Sequence, residues 1–252
     1  MEERNIRLAC LAFIAIFFGA LISVQYLIRP SIEVFENVEP LKGKIVYESS
    51  RDLSVWICIM NVDGSNVTKF IEGYCPDLSP DGKKIAFCRD AGFGMELYVV
   101  SVKGGVPIKL AGGRTEIAEN PAWSPDSKKI AFELAPVPPG KPDIYIINAD
   151  GSHLKRLTTK GGSHPRWWPD GKRIAFESNR DGKWGIYVIN SDGSNETKLP
   201  IEEAIHPDIA PDGKRMVFSD FSRICLFDFE KGSVIQLTQP ICWKKILMAP
   251  KF

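Results

Sequence analysis

Pro121-Ala-Trp-Ser-Pro-Asp-Ser-Lys-Lys-Ile-Ala-Phe132 is one of four copies of the phrase that decides the fold of this 252-residue chain. The others are Pro76-Asp-Leu-Ser-Pro-Asp-Gly-Lys-Lys-Ile-Ala-Phe87, Pro165-Arg-Trp-Trp-Pro-Asp-Gly-Lys-Arg-Ile-Ala-Phe176 and Pro207-Asp-Ile-Ala-Pro-Asp-Gly-Lys-Arg-Met-Val-Phe218. Their leading prolines lie 45, 44 and 42 residues apart. A period of about 40–45 residues with several short strands per unit is the pattern of a β-propeller.

Each unit parses into four strands. In the unit opened by Pro165, a first strand around His164–Trp168 ends at Pro169-Asp170-Gly171, where Asp caps the backbone and Gly accepts positive φ. Arg173–Ser178 is the second strand, Trp184–Asn190 the third, and Glu196–Leu199 the fourth after Ser191-Asp192-Gly193. The third strands, with Ile144 to Ile147 and Ile186 to Ile189, are apolar on both faces, which suits a sheet sandwiched between neighbours. The first blade starts at its second strand, Lys44–Ser49, and lacks a first strand of its own. Gln239-Pro-Ile-Cys-Trp243 reads as that missing strand and closes a ring of five blades over residues 43–252. A distorted sixth blade built with Lys244–Phe252 is the alternative.

Ahead of the repeats, a seven-residue tail (1–7) precedes Leu8–Ile28, 21 residues without a charge. That length suffices for one transmembrane helix, and residues 29–42 then form a linker. The run is expected to be an uncleaved signal anchor, with cleavage as the competing reading. The chain as a whole balances: 32 basic against 31 acidic residues leave no field for gripping nucleic acid. The cysteines at 10, 58, 75, 88, 225 and 242 include no Cys-x-x-Cys. Free thiols are expected, with Cys75 and Cys88 the pair placed to bridge if any does.

Trp123-Ser124-Pro125-Asp126 with Lys129-Ile130-Ala131-Phe132, Ser178-Asn179-Arg180-Asp181-Gly182, Ile186-Tyr187-Val188-Ile189-Asn190 and Leu157-Thr158 resemble the PD40, or WD40-like, repeat of TolB-like propellers. The resemblance covers about residues 43–239. It implies an extracytoplasmic propeller, hence a single-pass protein of the cell membrane, or a periplasmic or secreted one if the leader is cut. TolB itself carries an α/β domain before its propeller, where this chain has the apolar run and the linker.

The chain contains no Gly-x-Ser-x-Gly, Walker loop, dinucleotide fingerprint or His-Glu-x-x-His. Asp81, Asp126, Asp170 and Asp212 all occupy the same turn and read as caps rather than catalytic carboxylates. A non-catalytic scaffold binding a protein, peptide or glycan is therefore expected, with no organic cofactor. Its contact face would be the loops after the second strands: 50–54, 89–95, 134–143, 180–183 and 220–223. Phe93, Pro138, Pro139, Arg180 and Trp184 are the expected contact residues.

One position carries more chemistry. The residue before each leading proline is Cys75, Asn120, His164 or His206, with Gln239 before Pro240. First strands line a propeller's channel, so these side chains should ring its mouth. Pairing of first and second strands puts Glu177 across from His164 and Glu133 across from Asn120. His164 and His206 with such carboxylates would suit a divalent transition metal, zinc, manganese or iron. Resemblance to oligogalacturonate lyases, which hold a metal in the channel of a similar propeller, makes a metal-binding or lyase-like propeller the alternative function.

Overall fold

The computed structural model describes residues 43–51, 54–137 and 140–239. The tail, the apolar run 8–28, the linker, Pro138, Pro139 and the expected closing segment 240–252 lie outside the described residues. Among the described residues, no helix is long and apolar enough to cross a membrane, and every regular element is a β-strand.

Blade 1 comprises β1 (Lys44–Arg51), β2 (Ser54–Asn61) and β3 (Thr68–Glu72). Blade 2 comprises β4 (Tyr74–Leu78), β5 (Lys84–Asp90), β6 (Met95–Ser101) and β7 (Ile108–Gly112). Blade 3 follows with β8 (Glu116–Trp123), β9 (Lys129–Pro136), β10 (Asp143–Asn148) and β11 (Lys155–Arg156). Blade 4 has β12 (Ser163–Trp167), β13 (Arg173–Ser178), β14 (Gly185–Asn190) and β15 (Thr197–Lys198). Blade 5 has β16 (Ile205–Ile209), β17 (Arg215–Ser219), β18 (Ile224–Asp228) and β19 (Ser233–Gln236). Pairing within each blade is antiparallel between chain neighbours. A single parallel contact, Met95 with Ile117, ties blade 2 to blade 3. Gly94 permits that approach, because any side chain there would collide with the carbonyls of Gly113 and Glu116.

The turn after each first strand is built as the sequence predicts. Asp81, Asp126, Asp170 and Asp212 each accept the backbone N–H two residues on, at 2.8–3.1 Å. The Ser79 and Ser124 hydroxyls that donate to Asp81 and Asp126, and chiefly the N–H bonds at Asp170 and Asp212, favour the ionised carboxylate and hold all four below the usual range despite some burial. Three expected loops are shorter than their assigned ranges. Ser50 and Arg51 belong to β1 and Ser54 to β2; Arg89 and Asp90 belong to β5 and Met95 to β6. Asp143 belongs to β10, and Leu134 to Pro136 belong to β9, where they pair with Ala118, Ile117 and Glu116 of an extended β8.

The repeated Ile-Ala-Phe explains itself once the blades are stacked. Alternate residues of a strand face opposite sides, so Ile and Phe point one way and Ala the other. Ile130 and Phe132 pack with blade 2 residues Ala86, Cys88 and Leu97, whereas Ala131 joins Trp167, Ile174 and Phe176 of blade 4. Ile85 and Phe87 likewise meet Val46 and Ile57 of blade 1, and Ala175 meets Met216 and Phe218 of blade 5. Each core therefore lies between two blades, with large groups from one wall against a small one from the next. Indole hydrogen bonds staple the same interfaces: Trp123 Nε1 donates to Asp77 O at 3.1 Å, Trp167 Nε1 to Ala122 O at 3.0 Å, and Trp168 Nε1 to Gly213 O at 3.1 Å.

Phe132 and Ala131 are both fully buried, so this packing predicts opposite tolerances on neighbouring positions. Phe132→Ala should cost about 3–5 kcal/mol through the cavity it opens. Ala131→Leu should cost about 1–3 kcal/mol through overpacking. Urea denaturation measures both, and a neutral Ala131→Leu would contradict the large-against-small arrangement.

Candidate functional site

The innermost strands β4, β8, β12 and β16 neighbour one another in turn, and each carries the same irregularity. Register shifts between Tyr74 and Asp77, Glu119 and Ala122, Ser163 and Arg166, and Ile205 and Asp208. At the heart of each bulge sits the residue before proline, in the left-handed region: Cys75 at φ 48°, Asn120 at 51°, His164 at 49° and His206 at 53°. Non-glycine residues rarely adopt this conformation, and a following proline usually favours extended backbone.

Three of the four bulged N–H groups turn away from their own ladder to an acceptor on the preceding blade. Glu48 Oε2 accepts from Cys75 N at 2.8 Å, Glu133 Oε1 from His164 N at 2.7 Å, and Glu177 Oε2 from His206 N at 2.6 Å. All three carboxylates are buried. They recur one residue past the Ile-x-aromatic triplet of the second strand, a periodic signal that the sequence reading used for Glu133 and Glu177 but not for Glu48.

The same carboxylates gather the channel-mouth side chains. Asn120 Nδ2 donates to Glu133 Oε1 at 2.6 Å, and His164 Nδ1 lies 2.9 Å from Glu177 Oε1 and 3.8 Å from Glu133 Oε1. The His164 and His206 rings stand edge to face with centroids 4.6 Å apart. Burial pushes the His164 pKa down, but the hydrogen bond and charge of Glu177, helped by Glu133, outweigh it and the net shift is upward. Burial and the neighbouring His164 lower that of His206. Glu177 moves down despite its burial, because His164 and the His206 N–H favour its charged form.

Around the ring the chemistry fades. Cys75 and Cys88 are free thiols, as are Cys58 and Cys225, so the pair placed to bridge is not bonded. Burial and nearby carboxylates push Cys75 up to about 12, which keeps it protonated and inert. Gln239 is exposed and outside any strand. Deeper in the channel, Asp77 is buried beneath Trp123, whose backbone N–H donates to its Oδ2 at 2.7 Å. Burial lifts the Asp77 pKa to about 7, against the opposing pull of Arg166 and that N–H. Sequence reasoning passed over Asp77 and Arg166, each one residue past a leading proline.

The expected loop residues divide. Phe93 is 82% exposed. Trp184 is half-buried and lines a cleft of about 260 Å³ with Lys141, Pro142, Ser163, Glu177 and Asn179, on the face where the bulges lie. Arg180 is not the free contact residue expected. Its side chain is 7% exposed, paired with Glu196 and stacked 4.5 Å over the Tyr187 ring. Pro138 and Pro139 lie outside the described residues.

Antiparallel blades stacked face to face, with first strands innermost and bulged at one end, define a β-propeller. The chain belongs to the PD40, TolB beta propeller domain family, whose model matches residues 37–250. A protein TolB homolog of Chlorobaculum tepidum is 35% identical over 136 residues, which is 50% of this chain and 30% of that one. A Tol-Pal system protein TolB of Francisella tularensis is 33% identical over 83 residues, covering 33% of this chain and 19% of the relative. The crystal structure of TolB from Acinetobacter baumannii superposes with a TM-score of 0.70 at 23% identity, over 80% of this chain and 54% of that one. The matched stretches thus span less than two thirds of each of these relatives.

Asp77 sets a pH dependence. Its folded pKa of about 7 stands above the ordinary carboxylate value of 3.8, so between those values the native state holds a proton that the unfolded chain releases. Stability from this group is fully present below the unfolded value and is lost as pH rises toward 7. In Asp77→Asn, which keeps an acceptor for the Trp123 N–H, the fall in Tm across that window should shrink by a few degrees. A wild-type-minus-variant difference that stays flat with pH would show that Asp77 is ionised throughout.

Proposed function

We propose that this chain is an extracytoplasmic binding scaffold of the Tol-Pal-related kind, docking a protein or peptide on the bulge-bearing face of its propeller. A glycan ligand is the less favoured version of the same reading. Family membership supports the protein-binding class, since relatives carry the name Tol-Pal system protein TolB. The observation that carries it is the cleft between blades 3 and 4. It combines the Trp184 ring and Pro142 with Lys141, Asn179 and the Glu177 carboxylate on a rigid frame. That mixture of apolar wall and few convergent polar groups suits an inserted side chain or chain end.

The same reading has residues 8–28 holding the propeller at the outer side of the membrane, with a soluble periplasmic form after cleavage as its alternative. The family match extends past both ends of the described strands, to 37 and 250. This supports a ring closed by Gln239–Trp243 as the missing first strand of blade 1, which gives five blades, with a distorted sixth blade as the alternative. Carbonate-resistant membrane association of the full chain, with protease access from outside, is the expected result. A mature soluble chain beginning near residues 21–30 would replace the anchor with a signal peptide.

Partner docking is tested by placing a photo-crosslinking residue at Trp184 and, as control, at Ser194 in the turn on the opposite face. Illumination in cells should give a discrete protein adduct from position 184 only. Adducts of equal strength from both positions, or from 194 alone, would assign the partner to another surface.

A further inference from the structure

We infer that His164, Glu177 and His206 bind one divalent first-row transition ion at the mouth of the channel. One ligand atom from each lies within 4.8 Å of those from the other two. An ion with bonds of about 2.0–2.2 Å places its ligand atoms about 3–4 Å apart. His164 Nδ1 and Glu177 Oε1, at 2.9 Å, already meet that spacing, and a small turn of the His206 ring brings in the third. Two imidazole nitrogens and one carboxylate form a donor set for zinc, manganese or iron, and of these three zinc binds most tightly to a given site.

Three further features belong to a metal site more than to a hydrogen-bonded pair. First, the His206 ring makes no hydrogen bond to any described residue, although it stands against a second imidazole and a buried carboxylate. Second, the carboxylate is already oriented. Glu177 Oε2 is held by the His206 N–H at 2.6 Å, which leaves Oε1 facing the two rings. Such outer hydrogen bonds fix ligand geometry and raise affinity. Third, an entry path exists, because Glu177 also lines the cleft beside Trp184 and the His164 side chain is 26% exposed. Three protein ligands and an open side leave coordination positions for water or for an anionic group of a bound molecule.

Neighbouring blades show what distinguishes this corner of the ring. Cys88 and Ser219 occupy the second-strand position of Glu177 in blades 2 and 5, and Asn120 and Cys75 the position of the histidines. Only the junction of blades 4 and 5, among the described residues, brings two imidazoles to one carboxylate.

The test uses the full chain in mild detergent, purified without a histidine tag and stripped with EDTA. Calorimetric titration with Zn²⁺ should show one equivalent per chain, with Mg²⁺ giving no saturable binding. His206→Ala removes a ring with no hydrogen bond to any described residue; with its circular dichroism spectrum matching that of the wild type, it should weaken Zn²⁺ at least tenfold. His153→Ala removes the third histidine, which is exposed in a fourth-strand turn, and should change nothing. The Co²⁺-loaded chain should show the absorption of an ion coordinated by nitrogen, and this signal should disappear in His164→Ala/His206→Ala. Absence of stoichiometric Zn²⁺ binding, binding unaffected by His206→Ala, or loss on His153→Ala would each overturn the assignment. None of these outcomes depends on the partner docking proposed above.

Discussion

The structure hangs on a hydrogen bond that joins neighbouring blades at the channel. Each of the four described first strands contains a proline, which cannot donate, preceded by a residue bent into the left-handed region. That bend costs on the order of 1–3 kcal/mol and takes an N–H out of the ladder. A buried glutamate from the preceding blade receives it at three of the four junctions: Glu48, Glu133 and Glu177. Bonds to a charged acceptor contribute about 1.5–3 kcal/mol, enough to offset the strain. The bargain is mutual, since a buried carboxylate without those donors would be more costly still. At the remaining junction Cys88 stands where the others have glutamate.

Packing repeats the same logic at larger scale. Apolar clusters do not sit inside blades but between them, and tryptophan indoles reach across to backbone carbonyls of the neighbour. Near the mouth, Arg89 and Arg180 stack over Phe87–Tyr98 and Phe176–Tyr187, which closes the ends of two second-to-third-strand hairpins. The result is a stiff frame whose bulged ends, glutamates and loops converge on one surface. Side chains positioned this way lose little freedom when a ligand arrives.

Much of this frame was legible in the chain. The Pro-Asp-Gly turns and the Ile-Ala-Phe strands are local, and their period alone stacks equivalent positions around an axis. The range Arg173–Ser178 holds to the residue. His164 does meet Glu177 and Asn120 does meet Glu133, but not by the expected pairing. Ser163 and Glu119 stand opposite those glutamates in register, and the bulge brings the next residue's side chain onto the carboxylate. What escaped reading is non-local. No strand pattern announces that β8 starts early enough to touch β6, which draws Leu134–Pro136 out of the loop. Arg180 reads as a loop cation until the Tyr187 ring and Glu196 are seen to enclose it. The role of Glu48 depends on a backbone bend in the next blade, and no residue type encodes that bend uniquely.

The left-handed position before each proline also acts as a filter on amino-acid type. Asparagine, aspartate and histidine are several-fold enriched in that conformation among non-glycine residues. Those same side chains carry hydrogen-bonding or metal-ligating atoms. A propeller that must seat such a residue at the start of every inner strand therefore fills its own entrance with reactive chemistry, for purely conformational reasons. Selection then needs only to change what stands behind the ring. A glutamate behind two adjacent histidines, as at the junction of blades 4 and 5, turns a folding requirement into a binding opportunity. A cysteine or serine in the glutamate's place leaves the same rim chemically quiet. One scaffold could thus diverge into many recognition surfaces through single substitutions at second-strand ends, without rebuilding a loop.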